Sequence, residues 1–434
     1  MRILLVHQYF LDQDDAGGSR WNEMARFWAQ RGHDITVVAG TVHYATGAKA
    51  TRYKGKLVVT DQVGPRVKVK RCHVSESYNR SFAGRLWAYL SFTFSSSWAA
   101  LTESRADVVI CTSPPLTVGL TGAILRRFWR VPVVFEVRDL WPETAIEAGV
   151  LTNPLLIRLS YWLERISYRH ASWINVLTPA FRDRLVASKG VDPRRVSVIT
   201  NGADLDLFRP GPQDNWVRRH HGLQGKFVVI YVGAHGVANH LVQLLEAARE
   251  LADEPEAHFL LVGNGMQKPM LMATARAWGL TNVTFVDAVP KGQIADYVAA
   301  ADVCTAVLKK LDVFKTVYPN KLFDYMSAAR PIILGIDGVA RQLLEEAGAG
   351  VYVEPQQPRA FAQAVRELKR DPQRCQQCGE CGRRFVQTHY SREQLAEQYL
   401  AVLETKVRSR ARMRAVPDGD YARGGLRRCT GSAG

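Results

Sequence analysis

The 434-residue chain has no apolar run of the ~18 residues that a transmembrane helix needs, so no helical membrane span is expected. Cysteine is sparse. Seven residues, an odd number, argue against a disulfide framework and for a reducing cytoplasm. Three of them, Cys375, Cys378 and Cys381, form C-x-x-C-x-x-C with His389 nearby, but no second C-x-x-C completes a zinc or cluster site. Inside a predicted helix that spacing reads as incidental thiols. No short internal repeat and no recognisable RNA or DNA module is present. The opening MRILLVHQYF is too short, and too polar beyond, for a signal peptide, and its alternation predicts a buried first strand.

Acid is outnumbered by base at the two ends of the chain but not between them. Residues 1–200 carry 27 Lys+Arg against 16 Asp+Glu, a balance of +11. Residues 201–405 carry 22 against 23, and residues 406–434 carry 8 against 2. The net +16 is therefore concentrated in the first half and the tail, which points to an anionic surface met by one domain. The aromatic, Arg-bearing stretch from Ser77 to Leu101 adds Arg80, Arg85, Trp87, Tyr89, Phe92, Phe94 and Trp98. That mixture suits a membrane interface; stacking on single-stranded bases and an ordinary core helix are the alternatives.

What the chain has in quantity is the grammar of parallel α/β units. Ile3–His7 reads as a strand, the loop to Arg20 carries Gly17 and Gly18, 21–30 has helical spacing and 34–39 is again a strand. Short β-branched runs at 108–111, 131–137, 174–177 and 196–199 continue the series. After the turn Asn201-Gly202-Ala203-Asp204 and a Pro-bearing stretch to Gly225, a second series follows. Its strands are expected at 227–232, 259–262, 283–286, 303–307 and 332–334. The domains are accordingly placed at 1–200 and 201–390. A helix at 391–405 is expected to return to the first domain, and a basic tail at 406–434 is expected to be disordered.

The stretch around which the chain is organised is KTVYPNKLFDYMSAARP, residues 315–331. Pro319, Asn320 and Lys321 read as a loop entering a helix, whose first amides lack partners and attract an anion. Lys321 adds a full charge, and Asp324, one turn on, could accept a sugar hydroxyl. On chemistry alone a surface helix with a proline stop competes with this reading. Glu136, Arg138, Asp139 and Glu143 lie at and beyond a strand end, the edge where α/β proteins bind ligands; a solvated rim is the alternative.

In order, the segments AGGSR, RGHDITVV, VPVVFEVRDLWPE, ITNGADLDLF, FLLVGNGMQK, NVTFVDAVP, AADV and PNKLFDYMSAARPI resemble bacterial glycosyltransferase family 4, of the WbuB-like kind that builds O-antigen and capsule. The resemblance covers about residues 1–400. It implies an α/β GT-B fold, two Rossmann-like domains facing across a cleft, and a retaining transfer from a nucleoside diphosphate sugar, with UDP expected, to a lipid-linked or saccharide acceptor. It further implies that Gly17 and Gly18, with Ser19 and Arg20, lie in the cleft. Arg138 stands where many members have a histidine and is expected to hold a phosphate or an acceptor anion, with Asp139 orienting the acceptor. Asp324 matches the second acid of the family's paired acids; the first is replaced by Thr316. The usual diphosphate clamp is absent, and Lys321, with Asn320, His235, Gly236 and Lys268, is expected to replace it. Catalysis is thus assigned to Arg138, Asp139 and Asp324. No cofactor and no metal are expected: Asp204 and Asp206 resemble a D-x-D but sit in a turn. The expected location is the cytoplasmic face of the inner membrane, peripherally bound to anionic lipid, with no nucleic acid partner. A GT-B nucleotide-sugar epimerase and a non-catalytic basic nucleic-acid-binding protein are the competing readings.

Overall fold

In this computed structural model, which describes residues 1–12, 20–42, 49–77 and 82–415, the strands sort into two sheets. The first contains β1 (Arg2–Val6), β2 (Asp34–Gly40), β3 (Val58–Gly64), β4 (Val67–Cys72), β5 (Val108–Ser113), β6 (Val133–Val137), β7 (Trp173–Val176) and β8 (Val196–Val198). Their order is β3-β4-β2-β1-β5-β6-β7-β8, parallel throughout except for the β3–β4 hairpin at the edge. The second contains β9 (Phe227–Val232), β10 (Ala257–Val262), β11 (Val283–Val286), β12 (Val303–Val307), β13 (Ile332–Gly335) and β14 (Gly350–Tyr352), all parallel, in the order β11-β10-β9-β12-β13-β14. This is the GT-B architecture. The central strands β5, β6 and β12 are buried along their whole length because helices cover both faces of each sheet, so their sequences are apolar runs rather than alternations.

Parallel pairing puts every carboxyl-terminal strand end on one edge. Ligands of such sheets bind where the strand order reverses. That point lies between β1 and β5 in the first sheet and between β9 and β12 in the second. The residues just past these strands, His7, Pro114, Gly233 and Leu308, all line one cavity between the domains.

The first sheet ends at Val198 and the second begins at Phe227. The crossing is doubled, because Ala203 and Ser391 form a parallel bridge, with Ala203 N–H donating to Tyr390 O at 2.8 Å and Arg392 N–H to Ala203 O at 3.2 Å. A Cβ on Gly202 would lie 2.6 Å from the Tyr390 carbonyl oxygen, so only glycine lets the two strands of the hinge approach this closely. The helix expected at 391–405 runs from Arg392 to Ala415, so the chain from 406 to 415 is helical, contrary to the expected disorder; residues 416–434 lie outside the described residues. This helix packs on the first domain. Tyr399 is wedged between Trp21 and Trp28, ring centroids 5.6 and 5.7 Å away, and Trp28 Nε1 donates to Ala396 O at 2.8 Å. The β3–β4 hairpin and β14 were not anticipated. β3 is a half-exposed edge strand and β14 has only three residues, so neither carries a strong apolar pattern.

Candidate active site

The cavity between the domains measures about 610 Å³. Its floor on the second domain is the helix Asn320–Ser327, held by Leu322, Phe323, Tyr325 and Met326 buried in the core, and by Val232 N–H donating to Tyr325 Oη at 3.0 Å. Pro319 begins the helix and no side chain caps it. Its first amides therefore keep their capacity to bind an anion. Asn320, Lys321 and Asp324 all line the cavity.

Lys321 stacks its ammonium over the Tyr231 ring, 3.6 Å from the centroid. A Cβ on Gly233 would come 2.8 Å from that nitrogen, so the glycine, at φ +144°, makes the room. Burial lowers the Lys321 pKa to about 7. The Asn320 side-chain oxygen has no hydrogen-bond partner. Asp324 is ionised less readily than usual. Burial raises its pKa to about 6, while Arg392 and Lys291 pull the other way. Arg392 Nη2 lies 3.5 Å from Asp324 Oδ1 without hydrogen-bond geometry.

Arg138 and Asp139 face this helix from the end of β6. Asp139 is open to the cavity yet surrounded by protein, which raises its pKa to about 6 against the pull of Arg138. The other two charges of that cluster are structural. Glu136 is sealed in the domain, accepting from Arg20 Nη2 at 3.2 Å and Asn175 Nδ2 at 3.0 Å. Glu143 is ion-paired with Lys189. Arg20 is a correction too. Its guanidinium is committed to Glu136 and to the Thr200 and Ile199 carbonyls inside the first domain, and it does not line the cavity. Gly17, Gly18 and Ser19 lie outside the described residues.

Three expected donor-site residues do not line the cavity. Lys268 donates to Gly263 O, Asn264 Oδ1, Val286 O and Asp287 Oδ1 within 2.7–3.0 Å, so its ammonium braces the turns after β10 and β11 and is not available as a diphosphate clamp. His235 is fully buried behind the floor, and burial, with Lys268 and Lys321 nearby, lowers its pKa to about 4. Gly236 opens the 3₁₀ turn Val237–Asn239, of which Asn239 does face the cavity. Asp204 is held by Leu207 N–H at 3.0 Å and by Lys291 at 3.2 Å, and Asp206 pairs with Arg209 on the surface, so each carboxylate has its own partners. Among the described residues no group of three metal-ligating side chains occurs, the cysteines at 375, 378 and 381 included.

Sequence reasoning missed the charges that join the domains at the hinge. Glu23 from the first domain accepts from Arg392 at 2.5 and 2.6 Å and from Lys291 at 2.7 Å, and Lys291 and Arg392 both reach Asp204. It also missed His7, at the end of β1. No local signal separates these residues from surface charges or a strand-end histidine, because their partners lie up to hundreds of residues away.

Residues 16–202 match the family described as glycosyl transferase 4-like domain, and residues 226–371 that described as glycosyl transferases group 1. A D-inositol 3-phosphate glycosyltransferase of Thermobispora bispora is 26% identical over 387 residues, which covers 85% of this chain and 86% of that protein. WcaI of Escherichia coli, whose name assigns it to colanic acid biosynthesis as a glycosyl transferase, is 22% identical over 85% of this chain and 92% of its own. The crystal structure of Anabaena HepE with UDP-glucose superposes with a TM-score of 0.70 at 18% identity, covering 93% of this chain and all of that one.

Proposed function

We propose that this chain, whose two halves match glycosyl transferase family models and whose fold is GT-B, moves a sugar from a UDP-linked donor to a lipid-linked or saccharide acceptor in bacterial surface polysaccharide synthesis, with retention of configuration. The observation that carries the reading is the pairing across one cavity of Lys321 and Asp324 on the second domain with Arg138 and Asp139 on the first. In this reading the open helix start and Lys321 hold the diphosphate, and Asp324 takes a hydroxyl of the donor sugar or ribose. Asp139 orients the acceptor. The new bond forms on the face from which the diphosphate leaves, and the acceptor's proton passes to a leaving diphosphate oxygen. Lys321 and Arg138 balance the charge developing there, so positioning and preorganised charge supply the catalysis without a metal. A nucleotide-sugar donor is in keeping with HepE, a structural neighbour solved with UDP-glucose, and a biosynthetic acceptor with WcaI, whose name refers to colanic acid biosynthesis.

No described helix is long and apolar enough to cross a membrane. The reading places the first domain on an anionic bilayer instead. Trp87, Phe94 and Trp98 project from one face of the helix Phe82–Leu101, with Phe94 70% and Trp98 61% exposed, whereas Phe92 belongs to the core and Tyr89 is half-buried. Arg80 lies outside the described residues. The helices Val118–Trp129 and Pro154–His170 pack alongside and add exposed Phe128, Leu155 and Trp162 among Arg127, Arg158 and Arg165. Exposed aromatics on neighbouring helices, two of which also carry exposed arginines, fit the bilayer interface.

The test is incubation of purified protein with a panel of nucleoside diphosphate sugars, with and without bacterial lipid extract. Acceptor-dependent sugar incorporation with an unchanged anomeric configuration is expected. Conversion of the donor sugar without an acceptor would replace the reading by an epimerase, and no consumption of any donor would refute it.

A further inference from the structure

The His7 side chain is 5% exposed, yet it lines the interdomain cavity, and its Nδ1 is buried with no hydrogen-bond partner. An unsatisfied buried nitrogen costs about 1–3 kcal/mol, so a fold that keeps one beside a ligand cavity has a use for it there. The position is rigid. His7 N–H donates to Val38 O at 3.0 Å, Gly40 N–H donates to Gln8 O at 2.8 Å, and a Cβ on Gly40 would lie 2.9 Å from that same oxygen. The ring leans on the Trp21 indole at 6.4 Å between centroids. The chain therefore leaves β1 along a single path, and the imidazole is aimed from the switch point of the first sheet.

We propose that His7 is a substrate-contacting residue of the first domain, its imidazole hydrogen-bonding a hydroxyl of the acceptor sugar. The inference rests on the glycosyl-transfer reading and adds to it the group that selects a neutral polyol beside the cationic Arg138. Burial, Arg138 and Arg71 hold the imidazole pKa well below its ordinary value, so the ring is neutral at physiological pH, with one donor and one acceptor nitrogen. A neutral imidazole suits a hydroxyl, which also both donates and accepts; the anionic part of the substrates is left to Arg138 and Lys321.

The experiment compares wild type, His7→Ala and His7→Asn. Steady-state kinetics are measured against the acceptor, and UDP affinity by calorimetry. His7→Ala is expected to lower kcat/KM for the acceptor at least tenfold while the Kd for UDP stays within twofold. His7→Asn, which keeps a donor and an acceptor, is expected to recover part of the loss. An active wild type matched by a folded His7→Ala would overturn the proposal alone. So would a His7→Ala variant whose UDP affinity falls as far as its kcat/KM, because that is the mark of a structural role. If His7→Ala does not fold, His7→Asn decides: a lowered kcat/KM for the acceptor with a fivefold smaller discrimination against deoxygenated acceptors supports the contact, and wild-type kcat/KM with unchanged discrimination refutes it. A wild type that turns over no nucleotide sugar would remove the transferase reading and this contact with it.

Discussion

Replacing Lys321 should expose how the site trades apo stability for donor affinity. The ammonium has the Tyr231 face and, among the described residues, no carboxylate within ion-pair distance, and burial lowers its pKa from 10.5 to about 7. A folded pKa below the unfolded one means that the empty protein prefers the neutral amine. Stability contributed by this group therefore rises as pH climbs from 7 toward 10.5, and below 7, where the folded state is protonated too, the full penalty of the buried charge applies. At about 1.4 kcal/mol per pKa unit the cost is on the order of 5 kcal/mol, trimmed by cavity water and by the cation–π contact. A bound diphosphate reverses the preference, since a neighbouring anion favours the ammonium. Binding then takes up a proton. Between pH 7.5 and 8.5 the charged fraction of a pKa 7 amine falls about eightfold, and the Kd for UDP should rise by the same factor. Asp139 and Asp324, near 6, and His235, near 4, titrate below this window.

The assay is calorimetric titration with UDP at both pH values for wild type, Lys321→Arg and Lys321→Met. Lys321→Arg stays charged throughout and should lose the slope, so any slope it keeps belongs to the ligand. Lys321→Met should bind about 10- to 100-fold more weakly at pH 7.5, the ~1.5–3 kcal/mol of a charged hydrogen bond, while melting no lower than wild type. A flat wild-type profile, or a Lys321→Met variant with wild-type affinity, would refute the reasoning.

Asp324→Asn is expected to cut turnover at least about tenfold, ~1.4 kcal/mol, in a folded protein, with wild-type activity falling below pH 6 as Asp139 and Asp324 protonate; an unchanged rate removes the carboxylate from the site. Arg392→Ala leaves Glu23 and Asp324 without their shared cation and should cost on the order of 3–5 kcal/mol in chemical denaturation; a loss under 1 kcal/mol would show that Lys291 alone holds the hinge. Activity should persist in excess chelator; loss restored by magnesium or manganese would overturn the metal-free reading. Co-sedimentation with anionic vesicles at low salt should drop for the Phe94→Ser/Trp98→Ser double variant and survive deletion of 416–434; equal recovery of wild type with neutral and anionic vesicles would defeat membrane docking.

The alternation of apolar strands with helical spacing was enough, by itself, to give two parallel α/β domains, because strands buried on both faces must be apolar runs and β9 and β12 are such runs at the expected residues. The organising helix was legible for a local reason: Pro319, Lys321 and Asp324 are within two turns, so their shared face follows from helical geometry. The ordered motifs placed Arg138 and Asp139 beside a strand end for the same reason. Tertiary structure decided everything that depended on partners distant in the chain. Lys268 and Lys321 look alike in sequence, but the fold surrounds one with four oxygens and leaves the other over an aromatic ring. Arg20 and Arg138 both follow strands, yet only Arg20 meets a buried glutamate. The Glu23–Arg392 pair spans 369 residues, and His7 becomes a site residue only because the two switch points face each other across the cavity. Burial and charge pairing are sums over the packed surroundings, and no local stretch of sequence contains that sum.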